Sequence, residues 1–167
     1  MSPDASAPPL LFLKPCEIVL SCEPMVVTTL LGSCVAVTMF SARLRLGAIC
    51  HALLPSCGQG QPCSHGEAEA GRYVACAIRL MLDQLKARGV ARRDIEAKLF
   101  GGSDMFETAV GRGLSVGGQN IKMALWMLEL ESVRLVTQDL GGPRGRKIVF
   151  HTHTGEVFLK RLRKSEI

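Results

Sequence analysis

Three apolar runs of β character follow one another between Met25 and Leu54, separated by only a few turn residues. Met25 to Leu31 (Met-Val-Val-Thr-Thr-Leu-Leu) stops at Gly32-Ser33; Cys34 comes next, and Val35 to Phe40 is the second run. After Ser41-Ala42-Arg43, Leu44 to Leu54 is the third, with His51 near its end. Runs this short, rich in Val, Thr and Leu and punctuated by Gly and Ser, read as strands. The centre of the chain is therefore committed to sheet. Such an arrangement can hold one thiol on a tight turn and present one imidazole from a neighbouring strand. A cysteine hydrolase needs that pair, because the thiolate is the nucleophile and a base must take its proton.

The flanking sequence sets the fold class. Leu10 to Cys22 reads as an opening strand interrupted at Pro15, a residue tolerated at an edge or a strand start. Beyond Pro55, Ser56 to Gly66 is a polar loop holding Cys57, Cys63 and His65. From Glu67 to Gly89 the period turns helical, with Val74, Ile78, Met81 or Leu82, and Leu85 on one stripe and Gly89 as the stop. Ile95 to Phe100 predicts a strand ending at Gly101-Gly102, and Leu114 to Val116 a short one. A second helix is predicted from Asn120 to Glu131, burying Ile121, Leu125 and Leu128. Val133 to Thr137, Lys147 to His151 and Glu156 to Leu162 close the chain as strands, the last two as a hairpin through Thr154-Gly155. Strands outnumber helices, and two amphipathic helices must each cover a sheet face. That pattern predicts α+β layers, not regular β-α-β alternation.

A chain of 167 residues that is 47% hydrophobic fits one domain with a substantial core. Residues 1–9 read as a disordered lead-in without signal-peptide character, and 10–164 as the single domain. No apolar run reaches the roughly 18 residues that a membrane span requires, so membrane insertion is not expected. The seven cysteines are odd in number, and Cys50 and Cys76 sit in apolar contexts, which suggests reduced thiols in the cytoplasm. A net charge of +5 with only 5% aromatic residues gives no stacking platform for nucleic acid.

The break at Gly32-Ser33 lets a turn expose the Cys34 sulfur and aim backbone N–H groups at the same point, as an oxyanion hole requires. His51, titrating near neutrality, is the candidate base. The competing use of these residues is a zinc site drawn from Cys50, His51, Cys57, Cys63 and His65. Closely spaced Cys-x2-4-Cys knuckles are absent, so no metal is expected. His151 and His153, two apart in a strand, would share a face and could ligate a metal, or could equally be surface polar positions.

Gly32-Ser33-Cys34-Val35 has Thr28 six positions before the cysteine and His51 seventeen after it, within Cys-His-Ala-Leu-Leu-Pro. Lys98 to Phe106 (Lys-Leu-Phe-Gly-Gly-Ser-Asp-Met-Phe), Asn120, and Asp139-Leu140-Gly141-Gly142 with Gly145-Arg146 follow in order. Together these motifs, over roughly residues 17 to 160, resemble the chemoreceptor glutamine deamidase family, CheD. Gly118-Gln119 stands where that family usually has a charged pair. The resemblance implies a layered α/β sandwich of mixed sheets with two main helices, similar to the catalytic domain of deamidating bacterial toxins. It implies a cytoplasmic protein-glutamine glutaminase of chemotaxis, which converts glutamines of methyl-accepting chemotaxis receptors to glutamate through a cysteine thioester. No cofactor is implied. The implied catalytic residues are Cys34, His51 and Thr28, the threonine hydroxyl orienting the imidazole. Thr29, on the opposite strand face, is then the negative control. The CheC phosphatase is implied as a candidate partner. The alternative is a non-catalytic adaptor that binds receptors or CheC.

Overall fold

The computed structural model describes residues 6–58, 66–105 and 113–166. In chain order the strands are β1 (Leu10–Phe12), β2 (Ile18–Ser21), β3 (Val26–Leu31), β4 (Val35–Ser41) and β5 (Leu46–Ala52). The helices α1 (Glu67–Ala70) and α2 (Val74–Ala87) precede β6 (Glu96–Gly101), and α3 (Val116–Leu130) precedes β7 (Arg134–Leu140), β8 (Arg146–His151) and β9 (Val157–Arg161). They assemble into a four-stranded sheet, β1-β3-β8-β9, and a five-stranded sheet, β2-β5-β4-β6-β7. Both sheets are mixed, because β1 runs parallel to β3 and β6 parallel to β7. The α+β class with two main helices and two mixed sheets is as the sequence predicts.

Side-chain parity explains the layering. On β4, Val35, Val37 and Met39 join the core beneath α2 and α3, whereas Ala36 faces the other sheet. On β5, Leu46, Ala48, Cys50 and Ala52 point to the helices, and Ile49 packs with Val27, Leu31, Ile148 and Phe150 of the four-stranded sheet. Every residue of β4 and β5 is buried, as a strand covered on both faces requires. The layers are therefore helices, five-stranded sheet, four-stranded sheet.

Three sequence expectations are corrected. The helix predicted over Glu67 to Gly89 is broken after Ala70, since a Cβ at Gly71 would stand 2.0 Å from the Cys16 carbonyl oxygen. The chain there also turns to let the Arg72 carbonyl accept from Leu53 and Leu54. Leu114 to Val116 is not a strand. Ser115 caps α3, its hydroxyl accepting from Gly118 N at 3.1 Å, so the helix begins at Val116 and includes both glycines. A Cβ at Gly117 would lie 2.5 Å from the Gly102 and Ser103 carbonyl oxygens, so glycine permits this close approach. Finally, Cys76 is disulfide-bonded, against the expectation of thiols throughout; the Cys57 sulfur, 3.6 Å away, is too distant to be the bonded one. Cys16, Cys22, Cys34 and Cys50 are free thiols.

Candidate active site

Cys34 occupies the last position before β4 and is half-buried. Its main chain is pinned on the far side, where Gly102 N donates to the Cys34 carbonyl at 2.8 Å and Ser103 N donates to Gly32 O at 2.9 Å. A Cβ at Gly101, whose φ is +107°, would meet the Cys34 carbonyl at 2.3 Å, so glycine is required where β6 meets the cysteine loop. Asn120 of α3 ties the loop to the end of β5, donating through Nδ2 to Ser33 O at 3.0 Å and to Leu53 O at 2.9 Å. The glycine-rich motifs thus form the frame of this loop. Gly141 N bonds Gly101 O, and Asp104 N bonds Gly142 O. The buried Arg146 guanidinium donates to Asp139, Ser103 Oγ and Gly141 O. Burial alone would raise the Asp139 carboxyl, but its hydrogen bonds and charge attraction to Arg146 and Arg161 hold it below its ordinary value.

Cys34 opens onto a cavity of about 600 Å³, with Gly32, Ser103, Met105, Ser115 and Gly117 among its walls. The N-terminus of α3 is therefore at the same cavity as the thiol.

His51 pairs with Ala36 across the β4–β5 ladder. Its neighbour Cys50 faces the helices, so the imidazole turns toward the four-stranded sheet, the face on which Cys34 also packs. Cys34 lies diagonally across the ladder from it, a relation that separates such positions by roughly 7 Å and that side chains can bridge. The same alternation sends Cys50 and His51 to opposite faces, so they do not converge on one metal ion. Burial pushes the Cys50 thiol up to about 12. Cys63 and His65 fall outside the described residues, and among the described residues no cluster of three metal-ligating side chains occurs. His151 and His153 stand with ring centroids 6.1 Å apart, and His151 packs edge-on against Phe158.

The threonine is where the structure departs from expectation. Thr29, not Thr28, reaches the imidazole, its Oγ1 lying 2.8 Å from His51 Nδ1. Thr28 sits on the outer face of β3 and donates to Ile148 O at 3.1 Å. Val27, Thr29 and Leu31 are the inward set of β3 and are buried, whereas Val26, Thr28 and Leu30 are the outer set. Two adjacent threonines in a strand apolar on both faces give no parity signal. Only the partner sheet decides which face is inward.

This contact fixes the tautomer. A threonine hydroxyl has one proton, and Thr29 donates it to Leu13 O at 2.7 Å. The proton between Thr29 and His51 must therefore come from Nδ1–H. In the neutral ring Nε2 is then the lone-pair acceptor, and it is buried without a hydrogen-bond partner among the described residues. Burial lowers the imidazole below its ordinary value, opposed by the Leu13 carbonyl. Burial raises the Cys34 thiol, its own backbone N–H opposing this, and the nearby Cys16 thiol adds to the rise. Near neutral pH the site accordingly rests as a thiol and a neutral base with Nε2 open.

That resting state has a measurable signature. His51→Ala is expected to slow iodoacetamide labelling of Cys34 roughly tenfold at neutral pH, while labelling of the exposed Cys22 stays constant. Peptide mass mapping over a time course reads both rates. Equal slowing at the two cysteines, or none at Cys34, would separate the thiol from the imidazole.

The family model for CheD chemotactic sensory transduction matches residues 53–161. The chain is 45% identical over 158 residues to the probable chemoreceptor glutamine deamidase CheD 2 of Geobacter sulfurreducens, covering 95% of this chain and 93% of that protein. It is 39% identical to the probable chemoreceptor glutamine deamidase CheD of Maridesulfovibrio salexigens, over 92% of each chain. Its similarity to the counterpart in Sulfurimonas denitrificans is 34% identity, over 93% of this chain and 96% of that one. Among solved structures, the Bacillus licheniformis hypothetical protein YfiH matches 75% of this chain and 51% of its own, with a TM-score of 0.49 and 12% identity. The Neisseria meningitidis protein NMB0706 matches 81% and 65%, with a TM-score of 0.47 and 13% identity.

Proposed function

The chain belongs to the CheD family, and from that premise we propose that it is a protein-glutamine amidohydrolase using Cys34 and His51 on chemoreceptor glutamines. The observation that carries this reading is the open Nε2 of His51, left as an acceptor by the Nδ1 contact to Thr29, on the same sheet face as Cys34. In the first half-reaction Nε2 takes the thiol proton and the sulfur attacks the carboxamide carbon. The oxyanion that forms is stabilised by backbone N–H groups of the cysteine loop, the Cys34 N–H itself lying against the sulfur. Nε2–H then protonates the nitrogen, the C–N bond breaks, and ammonia leaves a thioester. In the second half-reaction water gives a proton to Nε2 and attacks the thioester carbon. The C–S bond breaks, the thiolate recovers the proton, and glutamate is released. Thr29 holds the ring in the tautomer both halves need, and no cofactor enters any step.

In this reading the substrate is a methyl-accepting chemotaxis receptor, and the protein works in the cytoplasm on the receptor's helical region. No helix among the described residues is long and apolar enough to cross a membrane. In this reading the CheC phosphatase is the candidate regulator. The test is incubation with a receptor cytoplasmic fragment, with glutamine-to-glutamate changes mapped by mass and ammonia measured in parallel. Stoichiometric ammonia and glutamate support the reading. Receptor binding without either product would leave an adaptor.

The buried imidazole also sets the pH profile. Because burial lowers His51, its base form persists to lower pH than usual. The acid limb of kcat/KM should therefore have its midpoint below the ordinary imidazole value of about 6.5. A midpoint above that value would contradict a buried neutral base.

A further inference from the structure

We propose that α3 carries a docking trough for a helix of the substrate polypeptide, beside the cavity that receives its glutamine; this rests on the amidohydrolase reading above. The sequence predicts that Leu125 is buried on α3, but the inward face consists of Gly117, Asn120, Ala124, Met127 and Leu128. Leu125 is 36% exposed, Trp126 56% and Leu130 56%. The helix is thus apolar on two faces and only one is covered by its own core. An exposed apolar patch of this kind, set among polar residues, marks an interaction site.

Of these three, Trp126 borders a groove, and Leu125 and Leu130 lie outside its lining. Pro55, Leu114, Gln119, Lys122, Met123 and Trp126 line a groove of about 670 Å³. Leu114 and Gln119 also line the Cys34 cavity, so the two spaces share a wall. This continuity identifies the occupant. A polypeptide whose carboxamide enters the Cys34 cavity has its next residues at that shared wall, and the groove leads from there along α3. Gln119 to Trp126 spans two helical turns, roughly 10 Å. A partner helix matches that length with apolar side chains one and two turns from the glutamine, the usual spacing of helix-in-groove anchors. Lys122 is the charged side chain of the groove and suits an acidic residue on the same partner face. Trp126 is the residue type that most often anchors such an interface.

Trp126 is also the sole tryptophan of the chain, so the site contains its own reporter. Cys34→Ala protein, which cannot turn over, is titrated with a tryptophan-free, helical receptor cytoplasmic fragment while emission is followed. A saturable blue shift is expected as the half-exposed indole is covered. In parallel, Trp126→Asp in the otherwise unaltered protein should raise KM for the fragment about tenfold or more, with the loss in KM rather than kcat and the thermal midpoint retained. An unshifted emission at fragment concentrations above KM, or an unchanged KM in Trp126→Asp, overturns the proposal. So does sedimentation showing a self-associated dimer that Trp126→Asp abolishes, because the occupant would then be a second copy. The two readings fail separately. An emission shift with no glutamate formed by the unaltered protein rejects the chemistry and keeps the trough; turnover without a shift rejects the trough alone.

Discussion

Replacing Cys34 with alanine should reduce ammonia release from a receptor fragment by on the order of 10⁴-fold or more, leaving only background hydrolysis. The loss should be that large because covalent attack has no substitute in the site. His51 can activate a proton on sulfur, but water held in its place is a poorer nucleophile. The fold should not suffer. The Cys34 carbonyl, not its side chain, is bonded to Gly102, and the sulfur sits at a half-buried position on the cavity rim. Removing one sulfur there opens little space, so the thermal midpoint should move by only a few degrees. Ammonia coupled to a dehydrogenase, checked by mass of the receptor peptides, measures the rate. A folded Cys34→Ala protein with even a tenth of normal turnover would remove the thiol from the mechanism.

The second large effect is expected at Thr29. Thr29→Val deletes the hydroxyl that joins Leu13 O to His51 Nδ1, leaving both buried groups without it. Each unpaired buried group costs about 1–3 kcal/mol, and the ring loses the contact that selects its tautomer. Turnover should fall roughly tenfold to a hundredfold, which corresponds to the same energy range. Thr29→Ser retains the hydroxyl and should recover most of the rate, a rescue that a purely packing role would not predict. Thr28→Val removes a bond to Ile148 O on the half-buried outer face and should change turnover by less than about threefold. Single-turnover rates on one receptor fragment, with melts for all three variants, decide between the threonines. A large loss in Thr28→Val with none in Thr29→Val would reverse the assignment.

The exchange of Thr28 for Thr29 shows where the sequence stops being informative. That Met25 to Leu31 is a strand was legible, because β-branched residues crowd between turn signals. Which of its faces points inward was not, because the strand is apolar on both. Helix α2 was legible in its stripe of Val74, Ile78 and Leu85, whereas α3 was not. Its two apolar faces give the periodicity no single answer, and Leu125 was placed on the wrong one. The break at Gly71 and the close approach of Gly117 arise from contacts with Cys16 and with Gly102 and Ser103, distant in sequence. Local reading cannot see those contacts. Cys34 and His51 were singled out by turn and strand position together with the spacing of the family they resemble. Asn120, which ties the cysteine loop to β5, was visible only as part of a motif, and its clamping role comes from two carbonyls, one 87 and one 67 residues away.

The thiol and the imidazole belong to one sheet, but Thr29 belongs to the other, where β3 is paired along its whole length with β8. This division has a consequence for the order in which the molecule is made. While the ribosome has delivered only the first two-thirds of the chain, β3 has β1 as a short parallel partner and lacks its long antiparallel one. Domain folding during synthesis proceeds from the N-terminal end, and long-range pairing is among its slowest events. The residue that sets the proton on His51 is therefore held early by Leu13 and gains its long antiparallel partner only when β8 emerges. The nascent protein carries Leu13, Thr29, Cys34 and His51 early, and the sheet that braces Thr29 along its length is completed late.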